Sequence, residues 1–259
     1  MINAINLRKS IRNYKEESVS AEHLKAIKTI INEAKHLYDN IPMEAFLIED
    51  GEKIRSTFKG LMGNYTKVKA PHYLAFTSQP LEGHLENIGF IGEEIVLKLT
   101  QLGIGTCWLG AALKEDEFKK IVKVQDKQNY IILIALGYPI EELKSVNLRK
   151  RLDKSKIVTG AYKDEYNPII QAFIDAPSSV NSQPWKLQIN NNQFDLYLQN
   201  KSFIMKKLLK DMNHIDVGIG LSHLYYCAIE LGYSVELKST SHSELSGALY
   251  IISAILNKV

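Results

Sequence analysis

Two short stretches of this sequence combine residue types that could hold a flat, anionic ligand. The first is Pro177-Ser178-Ser179-Val180-Asn181-Ser182-Gln183-Pro184-Trp185. Its small polar side chains and main-chain amides lie between a helix-like run and a strand-like one, a surface that can hydrogen-bond a planar polar ring. An ordinary Ser/Asn turn is built from the same residues. The second stretch is Arg8-Lys9-Ser10-Ile11-Arg12. Guanidinium groups offer phosphate oxygens a pair of donors that stay charged, although such a run also reads as solvated charge ahead of a helix. Residues 144–156 hold a second basic run, with Arg149 and Arg151 among lysines that suit a solvated linker. Between the two basic runs stands a glycine-bearing stretch, Gly103-Ile104-Gly105-Thr106-Cys107-Trp108-Leu109-Gly110.

Other chemistries find little footing. The sequence has no G-x-S-x-G elbow. Its seven histidines include no pair at metal-ligand spacing, and His223 sits among Leu221, Leu224 and Tyr225 as a helix-packing residue would. Gly103-x-Gly105 follows a helix rather than a strand and has Trp108 where a dinucleotide fingerprint needs glycine; Gly218-x-Gly220 fails likewise at His223. A net charge of +3 argues for neither nucleic acid nor membrane, and the longest apolar run, Ile131 to Leu136, is too short to cross a bilayer. With no secretory signal and two cysteines in apolar surroundings, a cytoplasmic protein with reduced thiols is expected.

The elements that must position these residues follow from periodicity. Ser20 caps a helix whose apolar face is Leu24, Ile27, Ile30, Ile31 and Ala34. Strands are expected at Met43–Ile48, His72–Thr77 and Asn129–Gly137, and a terminal one at Ala248–Leu256. Asn87 to Leu102 reads as a long helix stopped by Gly103. A further helix runs through Pro168, Ile169, Ile170, Ala172, Phe173 and Ile174 until Pro177 stops it, and one alternating strand then carries Leu187, Ile189, Phe194 and Leu196. Trp108 and Trp185 are core residues, ligand neighbours or both.

In order, these residues match a family. Ala176 to Leu187 resembles the PSSxNxQPW signature of the nitroreductase family of FMN-dependent oxidoreductases. Arg8 to Arg12 resembles that family's R-R-S-x-R element, Gly103 to Gly110 its GLGTCWxG segment, and Asn147 to Leu152 its K/R-x-R-x-L element. The resemblance implies FMN binding by Arg8, Lys9 and Ser10 at the phosphate side and by Arg12 at the N1/C2=O edge. It implies further that Leu109 and Gly110 present main chain to N5, that Arg149 and Arg151 meet the phosphate, and that Pro177, Ser178, Ser179 and Asn181 line the flavin. Arg12 and Gly110 would tune the flavin; no catalytic acid, base or metal is implied. The implied activity passes electrons from NADH or NADPH through flavin N5 to a nitroaromatic, quinone or similar small-molecule acceptor. A flavin-binding carrier or sensor without turnover is the alternative. Gly63-Asn64-Tyr65 falls roughly where the family adds polar flavin contacts, but residues 40–70 and 190–213 carry no usable signature.

The signature turn sits late in the chain, where the family carries it early, and a repeat explains the displacement. Aligning Leu102-Gly103 with Leu231-Gly232 brings Asn87 to Asp216, Gly89 to Gly218, Ile95 to Leu224 and Leu99 to Ala228. The first copy keeps RKSIR, GIGTCWLG and RKR; the second keeps PSSVNSQPW. The expected fold is therefore α+β and nitroreductase-like, with two diverged repeats forming an intrachain pseudo-dimer. Residues 1–160 and 161–259 would be its intertwined halves, sharing one flavin site. Such a chain would work as a monomer, with neither nucleic acid nor membrane as partner.

Overall fold

The computed structural model describes residues 1–58, 68–110, 113–145, 149–199 and 203–259, the side chains of 203–209 excepted. In chain order the helices are α1 (Ile2–Leu7), α2 (Ala21–Asn32), α3 (Gly51–Arg55), α4 (His84–Gln101), α5 (Glu115–Lys119), α6 (Lys154–Ile157), α7 (Asn167–Ile174) and α8 (Phe203–Glu230). The strands are β1 (Met43–Ile48), β2 (His72–Ser78), β3 (Gly105–Leu109), β4 (Asn129–Gly137), β5 (Val158–Ala161), β6 (Trp185–Asn190), β7 (Gln193–Gln199), β8 (Tyr233–Lys238) and β9 (Ala248–Lys258). They belong to two compact units. The N-terminal unit is Asn6–His84 with Ile95–Val146; the C-terminal unit is Met1–Ile5, Leu85–Glu94 and Asn147–Val259.

The N-terminal unit is built on an antiparallel sheet of order β1-β2-β4-β3. Its two central strands are covered on both faces, so they read as continuous apolar runs instead of alternating ones. Every residue of β2 is buried, and β4 is buried from Ile132 onward. Tyr73, Leu133, Ala135, Cys107, Leu109, Ile54 and Phe118 form a core with Ile11 and Tyr14 from the segment after α1.

His72, at the start of β2, ties this core to the cap of α2. Its Nδ1 lies 2.6 Å from the Glu49 carbonyl and so carries a proton, leaving Nε2 to accept from the Val19 amide at 2.9 Å beside the Ser18 hydroxyl at 3.0 Å. Burial holds the His72 pKa below its ordinary value, with the Glu49 carbonyl offsetting part of the shift. Because the folded-state pKa is the lower one, the unfolded chain takes up the proton first. Stability from this source is full above about pH 6.5 and falls as pH drops through the folded-state pKa. Replacing His72 by Asn should flatten that limb when urea midpoints at pH 7.5 and 5.5 are compared. An equally steep loss in His72→Asn would assign the acid limb to other groups.

The C-terminal unit carries the second sheet, order β5-β6-β7-β9-β8, antiparallel except for the β5-β6 pair. The single alternating strand expected after Trp185 is a hairpin, β6 and β7, turning at Asn191, whose φ is 55°. Asparagine tolerates that left-handed backbone better than most residues, and the apolar positions change phase across the turn, from Leu187 and Ile189 to Phe194 and Leu196. α8 covers the stretch that the repeat register aligns with α4 and begins earlier, at Phe203. Ile215, Val217, Ile219, Leu221 and Leu224 are all buried, so the helix has no polar face for a period-based reading to detect.

α8 crosses the first part of α4 inside this unit, backbone against backbone. A Cβ on Gly89 would lie 2.0 Å from the Ile215 carbonyl oxygen, and one on Gly218 would lie 2.1 Å from that of Glu86. Gly89 pairs with Gly218 in the repeat register, and Glu86 with Ile215. Each glycine thus meets the counterpart of the other's neighbour, which is how two copies touch across a two-fold axis. Among the described residues no helix is long and apolar enough to cross a membrane. Nor, among them, could any group of three or more His, Cys, Asp or Glu hold a metal ion.

Candidate functional site

In the N-terminal unit, Arg8 to Arg12 runs extended along β3. Ser10 bridges Thr106 in parallel, and the Ile11 amide donates to the Thr106 carbonyl at 2.8 Å. Gly105 makes this approach possible: a Cβ there would stand 2.7 Å from Cγ1 of Ile11. Tyr14 fastens the far end, its hydroxyl donating to the Ile11 carbonyl at 2.8 Å. The segment so held puts both guanidinium groups within electrostatic reach of Cys107, in the middle of β3. Burial raises the Cys107 thiol pKa, and the guanidinium groups of Arg12 and Arg8 offset only part of that rise. Arg8 is buried. Lys9 lies 3.6 Å from Glu141. β3 ends at Leu109, which is buried, and half-buried Gly110 follows.

Arg12 also lines a cavity of about 1010 Å³ with Tyr14, Lys15, Arg55 and Lys69. Glu16, Glu49, Asp50 and Glu52 line it too. Its charges are balanced, so it does not select an anion by sign alone. Gly63-Asn64-Tyr65, noted from the sequence, lies outside the described residues.

In the C-terminal unit, Pro177 to Trp185 forms a tight turn after α7. Val180, Asn181 and Gln183 all take left-handed backbone, with φ of 47°, 56° and 47°. For a β-branched residue such as Val180 this is a true outlier, and each such residue costs about 1–3 kcal/mol that surrounding contacts must offset. Arg151 supplies several of those contacts. Nε donates to the Ile174 carbonyl at 3.1 Å and Nη2 to that of Asp175 at 3.0 Å, closing the C-terminal end of α7. Nη1 donates to Asn181 Oδ1 at 3.1 Å, while Asn181 Nδ2 reaches the Lys150 carbonyl at 3.0 Å. Gln183 Oε1 accepts from the Leu152 amide at 2.7 Å. Arg149, with its side chain 7% exposed, donates to the Ile5 carbonyl at 2.5 Å and stands 3.8 Å from Asp175.

The residues expected from sequence therefore gather as two sets. Arg8, Lys9, Ser10, Arg12, Leu109 and Gly110 share the β3 edge of one unit, while Arg149, Arg151, Pro177, Ser178, Ser179 and Asn181 share the turn of the other. In this structure Arg151 and Asn181 bond protein groups that hold the turn, and Arg149 donates to the Ile5 carbonyl. Sequence reasoning missed Asp216, which accepts the Ser179 amide with both carboxylate oxygens at 3.0 Å. The one available signal was its alignment with Asn87, a polar residue that is also buried. Trp185 is fully buried against Phe173, so it serves the core.

An antiparallel sheet with a cationic segment along its edge, a second sheet, and long helices crossing by an internal two-fold define a nitroreductase fold. A solved structure from Thermotoga maritima MSB8, described as a "putative nitroreductase", matches with a TM-score of 0.65, 23% identity, and coverage of 99% of this chain and 93% of its own. The profile of the family described as "Putative TM nitroreductase" matches residues 1–228, and the chain belongs to that family. An FMN-dependent nitroreductase from Clostridium difficile R20291 is 25% identical with a TM-score of 0.50, over 61% of this chain and 97% of that one. A nitroreductase family protein from Streptococcus pneumoniae TIGR4 is 15% identical with a TM-score of 0.51, over 61% and 98%. Nearly all of each of these two chains is matched by part of this one; the remainder here is additional. No protein of curated function matches the chain.

Proposed function

We propose that the chain is an FMN-dependent oxidoreductase of nitroreductase type with one flavin site. The observation that carries this reading is the seating of Ser10 and Ile11 on Thr106, which sets Arg8 and Arg12 beside a strand ending in Leu109-Gly110. Family membership supports it, as does the likeness to the FMN-dependent nitroreductase from Clostridium difficile. The donor set fits FMN on two counts. Arg8, Lys9 and Ser10 offer charge and hydrogen bonds to a phosphate. Arg12 is a fixed cation for the negative charge that two-electron reduction develops at N1/C2=O. Gly110 leaves room for main chain to approach N5.

Bound FMN would supply two-electron transfer at N5, from NADH or NADPH to a nitroaromatic, quinone or similar acceptor, with the balancing protons exchanged with water. The work of this chain is to bind and orient, and its side chains need supply no general base. In this reading Pro177, Ser178, Ser179 and Asn181, with Arg149 and Arg151, are flavin-binding residues of the C-terminal unit, as Arg8, Lys9, Ser10 and Arg12 are of the N-terminal one. A fused pseudo-dimer of this kind already holds both copies, so it acts as a cytoplasmic monomer on small molecules, with neither nucleic acid nor membrane as partner.

The test is the visible spectrum of the purified protein with released flavin counted per chain. One FMN per chain is expected, together with NADH or NADPH oxidation when a quinone is present. Protein that stays colourless after incubation with FMN would overturn the reading. Bound FMN without oxidation of either nucleotide would leave a flavin carrier.

A further inference from the structure

We propose that Asp216 is the positioning residue of the Pro177–Trp185 turn: its buried carboxylate holds the turn in a ligand-ready shape and decides which donors face outward. Asp216 is 4% exposed on α8 and takes the Ser179 amide between its two oxygens, with the Ser182 hydroxyl 3.4 Å from Oδ2. Most of the turn's other amides are used internally. Asn181 donates to the Ser178 carbonyl, Ser182 to the Ser179 carbonyl, and Gln183 to the Ser178 hydroxyl oxygen. Among the described residues the turn then leaves the amides of Ser178 and Val180 and the hydroxyls of Ser178 and Ser179 without a protein acceptor, and the buried Trp185 Nε1 likewise.

Val180 is 77% exposed, so its amide sits at the tip of the turn. Turning the Ser179 amide inward forces the chain to reverse at Val180 and Asn181, the two left-handed residues that follow it. The anchor thus determines the backbone, and the backbone determines what a ligand meets. The repeat strengthens the assignment. The counterpart of Asp216 is Asn87, also buried, in the copy that lacks the signature turn. The carboxylate stands in the copy that keeps it.

Asp216→Asn removes the charge and keeps one acceptor oxygen, putting an NH2 donor in place of the other, so the Ser179 amide loses its two-oxygen cradle. Asp216→Glu keeps the charge and displaces it by one methylene. Hydrogen exchange on the protein without added flavin reads the anchor directly. Exchange at the Ser179 amide should accelerate at least about tenfold in Asp216→Asn and by less in Asp216→Glu, with protection on β2 and β4 unchanged. Wild-type exchange at Ser179 in Asp216→Asn would overturn the proposal.

The ligand-ready part rests on the flavin reading and is tested with FMN as the probe. A turn that is competent for only a fraction of the time binds with a dissociation constant raised in inverse proportion to that fraction. The dissociation constant of FMN should therefore rise about tenfold in Asp216→Asn, with partial recovery in Asp216→Glu. Faster exchange with unchanged FMN affinity would overturn the positioning role. Failure of the wild-type protein to bind FMN would instead sink the flavin reading, and the exchange result would still decide what holds the turn.

Discussion

Gly89→Ala should be among the most damaging single-methyl changes this chain can receive. The added Cβ would stand 2.0 Å from the Ile215 carbonyl oxygen and 3.1 Å from the Gly218 Cα, both backbone atoms of α8 that cannot rotate away. Overpacking of a core commonly costs about 1–3 kcal/mol, and a clash with helix backbone belongs at or above the top of that range. For a chain of this size a loss of about 3 kcal/mol lowers the thermal midpoint by roughly 6–12 °C. Gly218→Ala should cost nearly as much, through its 2.1 Å approach to the Glu86 carbonyl. The double variant should cost much less than the sum, because the first methyl already forces the helices apart. Gly232→Ala is the control. It has φ of 83° and nothing within 4 Å, so it should lose about 1 kcal/mol of backbone strain alone. Thermal unfolding followed by circular dichroism checks all four, and a Gly89→Ala melt within a degree of wild type would refute the close crossing.

The repeat register that pairs Gly89 with Gly218 was legible in the sequence; that both glycines face backbone across a helix crossing was not. Strands with one dominant period were legible too: Met43–Ile48 and Asn129–Gly137 stand where the pattern puts them. What stayed hidden had no single period to show. α8 buries Asp216, Ser222 and His223 along with its apolar residues, and the β6-β7 hairpin is marked only by a change of phase, from Leu187 and Ile189 to Phe194 and Leu196. The candidate site was half visible. The residue types of both basic runs and of the Ser/Asn turn stand out against the surrounding chain. The use of Arg151 to hold carbonyls at the end of α7 does not, because an arginine that clamps backbone and one that meets a phosphate look alike in sequence. Asp216 acts on a turn more than thirty residues earlier, a distance that no local pattern spans.

The side chains around the crossing are less symmetric than its backbone, and they carry the second large effect. His223 and Glu93 are both fully buried, with His223 Nε2 2.9 Å from Glu93 Oε1. Nδ1 stands 3.0 Å from the Ala172 carbonyl and must donate to it, so one further proton lies between the imidazole and the carboxylate. In the repeat register His223 is the counterpart of Glu94. Pairing α4 with another α4 would therefore bring Glu94 to Glu93, whereas α8 brings a histidine. The unlike pair favours one copy of each, a device of specificity as much as of stability. His223→Leu should cost about 3–5 kcal/mol, because it buries the Glu93 carboxylate without this partner. Removing both ends in Glu93→Leu/His223→Leu should recover about 2 kcal/mol of that loss. Urea midpoints of the three proteins test the ordering. A double variant no more stable than His223→Leu would mean that the cost lies in packing, not in the stranded charge.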